Sequence, residues 1–116
     1  PENHIRLIHS VFPNGSISAI QNQHCLVSIV FPTPDLQGTT TTQYILCMNE
    51  PKTKEQIKDA EDFAELSRTA IVDEDYPMNF KIQNFINSKA NKEFLFGRNE
   101  PLQQHYHKWI DKLSSK

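Results

Sequence analysis

The sequence contains little glycine and little cysteine. Only 3 glycines and 2 cysteines occur among its 116 residues. A P-loop or a dinucleotide-binding turn needs closely spaced glycines, and the sequence also lacks the Gly-x-Ser-x-Gly turn of serine hydrolases. These common nucleotide-binding and hydrolase sites are therefore excluded.

Long apolar runs and an excess of one charge are also absent. No apolar stretch approaches the ~18 residues of a transmembrane helix, and the first residues have no signal-peptide pattern. The 12 basic and 14 acidic residues leave a formal net charge of −2, without the basic patch that nucleic-acid binding requires. We expect a cytoplasmic protein that binds neither membranes nor nucleic acid. In that compartment, Cys25 and Cys47 are expected to be buried free thiols.

The length and the apolar content indicate a single small domain, residues 1–116. Hydrophobic residues make up 37% of the sequence, which is low for an independent core. A small domain also buries a smaller fraction of its surface than a large one. The composition therefore fits a piece that relies on a partner surface, and we expect a homo-oligomer.

The first half of the sequence predicts strands. Alternating or β-branched runs occur at residues 4–12, 16–21, 24–31 and 39–48. Pro13-Asn14-Gly15 supplies turn chemistry between the first two runs. Connections this short join antiparallel neighbours.

The second half predicts helices. Thr53 and Gln56 form a capping box at the start of the first helix. Pro77 either starts a second helix or kinks a long one, which ends near Asn87-Ser88. A last helix runs from about Glu100 to Leu113. The fold class is therefore α+β, an antiparallel sheet of about four strands followed by helices packed on one face.

Asp75 is the candidate with the most chemical interest. At helical spacing it shares a stripe with Ile71, Met78, Ile82 and Phe85. A carboxylate on a buried apolar stripe is costly unless a partner such as a bound cation compensates it. Asp is equally a preferred N-cap residue for a helix that begins at the following position. Spacing alone favours the N-cap.

The same region resembles a known family. The order Asp73-Glu74-Asp75, then Gln83, then G-R-N-E-P-L-Q-Q-H-Y-H-K-W at 97–109 is similar to the C-terminal end of the catalytic α-subunit of Rieske-type ring-hydroxylating oxygenases. Upstream, H-S-V-F-P-N-G-S-I-S at 9–18 resembles the strands of the family's substrate domain. The resemblance covers nearly the whole chain.

The resemblance implies a partial helix-grip fold and a non-haem iron site. It implies that Asp75 is the carboxylate ligand of Fe(II) in the intact parent protein, which hydroxylates an aromatic or other apolar substrate. Asp73 and Glu74 are the next candidates, but are expected to be exposed acids. Leu66, Ala70 and Ile71 are expected to line the substrate pocket near the metal.

Other elements of the family pattern are missing from the sequence. The family's two iron histidines lie upstream of the carboxylate as a close pair on a helix, and its [2Fe–2S] domain needs Cys-x-His and Cys-x-x-His motifs. Neither pattern occurs in the sequence. The resemblance thus implies a C-terminal portion of the catalytic domain, without a Rieske domain and with no cofactor bound to this chain alone. Its expected partners are the remainder of the α-subunit or other oxygenase subunits.

The histidines give weaker signals. His105 and His107 are two residues apart, about 200° around a helix, and cannot readily chelate one ion. His9 is on an apolar strand face, where it could line a cavity but is better explained as a satisfied core histidine, whereas His4 and His24 are expected to be exposed at strand ends. The alternative function is a stand-alone, non-catalytic helix-grip module that binds a small apolar ligand or acts as a structural subunit.

Overall fold

Four antiparallel strands form one sheet in the order in which they occur along the chain. The computed structural model describes residues 7–20, 23–90 and 93–115. The strands are β1 (Leu7–Val11), β2 (Gly15–Ile20), β3 (His24–Pro32) and β4 (Thr39–Cys47). The predicted sheet is confirmed, and each observed strand end lies within a residue or two of its prediction. The predicted β1 start at residue 4 and β2 end at residue 21 lie outside the described residues.

The turn between β1 and β2 is tied to the neighbouring strand. The main-chain nitrogen of Val30 donates to the Asn14 carbonyl at 2.9 Å. The Asn14 side-chain amide donates in return to the Val30 carbonyl at 2.8 Å. The Phe12–Pro13 peptide bond in this turn is cis. The predicted Pro-Asn-Gly turn is therefore confirmed, and Asn14 contributes more than turn propensity.

The register of β3 and β4 separates the two cysteines. His24 pairs with Cys47, and Cys25 pairs with Leu46. Because successive side chains alternate between the two faces of a strand, Cys25 and Cys47 lie on opposite faces of the sheet. Both are free thiols, as predicted, but each is only half-buried.

The hydrophobic core is small. Among the described residues, Leu26 on β3 is the only buried apolar residue, at 8% exposure. It shares its face of the sheet with His24, two residues earlier. This face is therefore the inner face of the sheet.

Helix α1 (Lys54–Ala70) begins at the predicted capping box. The Gln56 main-chain nitrogen donates to the Thr53 hydroxyl at 3.1 Å. The Gln56 side-chain carbonyl accepts from the Thr53 main-chain nitrogen, also at 3.1 Å. The box satisfies two donors that a helix start otherwise leaves unpaired.

Helix α1 lies against the inner face of the sheet. The ring of Phe63 stacks on the ring of His24, with 5.3 Å between centroids. Asp59 is hydrogen-bonded to the same imidazole. The predicted packing of a helix on one face is thereby confirmed for α1, and the prediction that His24 is an exposed strand-end residue is wrong.

Two further helices follow. A π-helical turn (Ile71–Asp75) follows α1 directly and precedes α2 (Tyr76–Ser88), and the last helix is α3 (Pro101–Ser114). Pro77 is at the start of α2, as predicted, where its missing N–H costs nothing. The chain divides into two compact units, one up to Asp73 and one from Glu74 onwards. None of the helices in the described part of the chain is long and apolar enough to cross a membrane.

The start of α3 is organised around Gly97. The Glu100 carboxylate accepts from the Gly97 main-chain nitrogen at 2.6 Å. The Gln104 side chain donates to the Gly97 carbonyl at 2.8 Å. His107 of α3 packs on Phe96, which precedes Gly97, with 4.7 Å between ring centroids.

The apolar stripe predicted along α2 is exposed. Met78, Ile82 and Phe85 all have large solvent-accessible fractions. The assumption that this stripe is buried, with Asp75 on it, is therefore wrong for the described chain. Helical spacing identifies the side chains that share a stripe, but it does not show that anything covers them.

Candidate functional site

Asp75 is the last residue of the π-helical turn. The turn consists of Ile71-Val72-Asp73-Glu74-Asp75, directly after the last turn of α1. Single π-turns inside helical segments are rare and occur frequently at functional sites. The three consecutive acids of the sequence motif thus lie in an unusual backbone segment, which sequence periodicity did not predict.

The Asp75 carboxylate is exposed and does not cap α2. The backbone of Asp75 is helical, with φ −72° and ψ −46°, and its side chain makes no capping hydrogen bond. A side chain that caps a helix normally sits on an extended backbone. The N-cap interpretation is therefore not supported. The interpretation as a costly buried carboxylate is equally wrong, because the residue is exposed.

The two neighbouring acids are in different electrostatic surroundings. Glu65 and Arg68 form an exposed ion pair on the last turns of α1, with Oε1 and Nη2 2.6 Å apart. This pair raises the pKa of Arg68, and the charge of Asp73 raises it further. Asp73 is therefore an exposed acid whose charge helps to stabilise the Arg68 cation. Glu74 is exposed, as predicted for both acids.

The predicted pocket residues lie at the C-terminal end of α1. Leu66 is 69% exposed, and Ala70, one helical turn further on, is exposed as well. Residues four apart share a helix face, so these two side chains form one apolar strip. Ile71 is half-buried and is the first residue of the π-turn that ends at Asp75.

The described histidines outside β1 are engaged in other contacts. His24 is bonded to Asp59. His105 Nε2 accepts from Trp109 Nε1 at 3.0 Å, and His107 lies among aromatic rings. Across the described ranges, no group of three or more His, Cys, Asp or Glu side chains could together hold a metal ion. Asp75 suits an iron site as a single anionic oxygen ligand.

The contact of His24 with Asp59 and Phe63 is the feature that sequence reasoning missed. The sequence did contain an indication of this contact, because His24 and Leu26 are two residues apart and therefore lie on the same face of β3. Asp59 and Phe63 are also four residues apart and therefore share one face of α1. The pairing of these two faces spans 35 residues of sequence, a separation at which local patterns have no information.

The antiparallel sheet and the helices that follow it define an α+β protein. A model of the family described as ring hydroxylating alpha subunit (catalytic domain) matches residues 1–116. The comparisons with curated proteins and with solved structures found no match. The chain belongs to the family of ring-hydroxylating oxygenase α-subunits, as part of their catalytic domain. This confirms the resemblance seen in the acidic motif and at residues 97–109.

Proposed function

We propose that this chain is the C-terminal portion of the catalytic domain of a Rieske oxygenase and that Asp75 is the carboxylate ligand of its Fe(II). One observation carries the assignment. The family match spans every residue of the chain. Asp75, the third acid of the motif, is the last residue of the π-turn, and its exposed carboxylate makes no capping hydrogen bond. Asp75 would complete a two-histidine, one-carboxylate triad with two histidines from outside this chain.

The bound Fe(II) would supply the oxygen-activating chemistry that hydroxylates the substrate. The contribution of this chain is to hold one anionic ligand at the end of the π-turn and to present apolar surface. Leu66, Ala70 and Ile71 form that surface, which suits an aromatic or other apolar substrate because it offers neither charge nor hydrogen-bonding side chains. Electrons would arrive through a [2Fe–2S] cluster in the α-subunit's Rieske domain. The remainder of that subunit is thus the expected partner.

The proposal is tested in the α-subunit that contains this chain. The coding sequence should carry Cys-x-His and Cys-x-x-His motifs upstream of Pro1. In that protein, Asp75→Ala is expected to abolish binding of the mononuclear iron while the Rieske absorption remains. Iron and acid-labile sulfide, measured together on the purified protein, separate the two metal sites.

Asp73→Ala is the matched control, because it removes a carboxylate from the same turn. It should keep the iron content of the wild type and retain substrate hydroxylation. Loss of iron in Asp73→Ala but not in Asp75→Ala would move the ligand to Asp73. If the upstream coding sequence lacks the cluster motifs and the purified chain binds a small apolar compound, the non-catalytic module is favoured instead.

A further inference from the structure

Half-buried and exposed side chains alternate along β4. The half-buried ones are Thr41, Gln43, Ile45 and Cys47. Cys47 pairs with His24, and Ile45 pairs with Leu26. Because directly paired residues point to the same side of a sheet, the half-buried set lies on the inner face, which α1 covers at His24.

Neutral polar side chains from three neighbouring strands meet on this inner face. Ser16 on β2 pairs with Ser28 on β3, and Ser28 pairs with Gln43 on β4. All three residues are half-buried. The Cβ atoms of directly paired residues are ~4.5–5.5 Å apart, so these side chains can act on one bound group. We call Ser16, Ser28 and Gln43 the polar row.

Gln43 has hydrogen-bonding capacity beyond its contact within the polar row. Its side-chain nitrogen donates to the Ser28 hydroxyl oxygen at 3.3 Å. Within the described part of the chain, this is the only hydrogen bond of the Gln43 side chain. A glutamine amide has two N–H donors and one carbonyl acceptor. Gln43 therefore retains a donor and an acceptor, in an amide that Ser28 orients.

The adjacent positions on the inner face are mainly apolar. Ser18, Leu26 and Ile45 form the next row, two residues away along each strand. Leu26 is buried and Ile45 is half-buried. Successive rows on one face are ~7 Å apart. A single aromatic ring against Ile45 therefore brings a ring substituent to Gln43.

The sheet offers no ionic partner to a ligand. Between Leu7 and Asn49, Asp35 is the only Asp, Glu, Lys or Arg residue. Its carboxylate is hydrogen-bonded within the loop between β3 and β4. The one histidine of the inner face, His24, is engaged by Asp59. An ionised ligand group would lose its hydration here without gaining a counter-charge, so the polar row suits neutral groups.

We propose that the inner face of the sheet binds the substrate and that Gln43 is its specificity-determining residue, which selects apolar compounds that carry one neutral hydrogen-bonding group. Ser28 positions the Gln43 amide, and Ile45 contacts the apolar part of the compound. The proposal rests on the proposed oxygenase function, because that function makes the ligand a substrate. The contacts themselves involve neither iron nor Asp75, so binding is measurable without turnover.

The test is an NMR titration of the purified full chain with toluene, benzyl alcohol and benzoate. The three compounds share one ring and differ in the group that reaches Gln43. Wild type is expected to bind benzyl alcohol roughly tenfold more tightly than benzoate, because the carboxylate finds no cation. Gln43→Leu should weaken benzyl alcohol binding about three- to tenfold, the net value of one hydrogen bond. Toluene binding should be unchanged in this variant, which also shows that the variant is folded.

Two further variants complete the experiment. Ser28→Ala removes the group that orients the Gln43 amide and should weaken benzyl alcohol binding in the same direction by a smaller factor. Gln37→Leu is the matched control, because it makes the same substitution at an exposed glutamine of the loop between β3 and β4. It should leave the binding of all three compounds unchanged.

Three results would overturn the proposal. They are a wild-type chain that binds none of the compounds, benzoate binding as tight as that of benzyl alcohol, and a Gln43→Leu variant in which benzyl alcohol binding is unchanged or falls by the same factor as toluene binding. Asp75→Ala should bind the compounds as wild type does. A failure of the iron assignment is therefore distinguished from a failure of this proposal.

Discussion

Nε2 of His24 on β3 lies 2.9 Å from Oδ2 of Asp59 on α1. The His24 side chain is 11% exposed, whereas that of Asp59 is 75% exposed. Nδ1 of His24 is buried and has no hydrogen-bond partner. A proton on Nδ1 would therefore be a buried donor without an acceptor, and the neutral ring is expected to carry its hydrogen on Nε2, directed at Asp59.

We expect His24 to contribute more to stability than its acidic partner. His24→Ala should cost about 1–3 kcal/mol of unfolding free energy, because it removes both the buried ring and its stacking on Phe63. Asp59→Asn should cost only ~0.2–1 kcal/mol, since solvent screens an exposed carboxylate. Chemical denaturation measures both values. His9→Ala is the control and should change little, because His9 is exposed on β1 and the prediction that it is a core histidine is wrong. Equal losses for His24→Ala and Asp59→Asn would show that the hydrogen bond, not the ring, dominates.

Replacement of Asp75 should leave the stability of this chain nearly unchanged. Asp75→Ala and Asp75→Asn are each expected to alter the unfolding free energy by less than about 0.5 kcal/mol, because the side chain is exposed and caps nothing. Denaturation at neutral pH measures both. A clear loss in the Ala variant that Asn restores would instead demonstrate a capping role.

Thr53→Ala is the positive control for that experiment. Its hydroxyl accepts the Gln56 N–H in the capping box, so its loss should cost ~0.5–2 kcal/mol. Thr53→Ser should restore most of that loss, because the serine hydroxyl can accept the same hydrogen bond. If Thr53→Ala leaves the free energy of unfolding unchanged, packing on the sheet, rather than the cap, determines where α1 begins.

The hydrogen bonds within the loop between β3 and β4 should be detectable as a lowered pKa of Asp35. Hydrogen bonds from the Thr33 hydroxyl and then from the Gln37 N–H hold the pKa of Asp35 below its ordinary 3.8. A lowered acid pKa stabilises the folded state above the unfolded pKa, and this contribution is lost as the pH falls through the folded pKa. Thr33→Val should therefore raise the pKa of Asp35, measured by NMR of the side-chain carboxyl. Thr39→Val should leave it unchanged, and an unchanged value in Thr33→Val would contradict the hydrogen-bonded loop.

The chain purified on its own should bind much less than one iron per molecule. Asp75 supplies one ligand, and the described ranges bring no set of three metal-binding side chains together. Metal analysis after anaerobic incubation with Fe(II) and desalting checks this expectation. Wild type and Asp75→Ala should give the same low value. One iron per chain that disappears in Asp75→Ala would show that the chain completes a site by itself.

Local patterns predicted most of the elements. The alternation of apolar residues and the Pro13-Asn14-Gly15 turn predicted the sheet, because strand pairing through short loops is encoded in neighbouring residues. The capping box at Thr53 and the position of Pro77 predicted where two helices begin. Each of these signals acts over four or five residues.

The remaining features depend on contacts or backbone states without a local pattern. The partner of His24 lies 35 residues away, so a strand-end histidine looked exposed in the sequence. The left-handed backbone of Leu36 contradicts residue preference, since glycine or asparagine is the usual choice there. The stripe through Asp75 assumed 3.6 residues per turn across Ile71–Asp75, where the structure has a π-turn. The family resemblance, rather than periodicity, is what assigned Asp75.

The π-turn also determines how this region can change in evolution. A π-turn spaces its hydrogen bonds over five residues instead of four, so it accommodates one residue more than an α-helix of the same rise. Deletion of one residue between Ile71 and Asp75 would remove this extra residue and replace the π-turn with ordinary α-helical spacing. Point substitutions in the turn leave its number of residues unchanged. Length variation at this place in the chain is therefore expected to be far less tolerated than variation of its side chains.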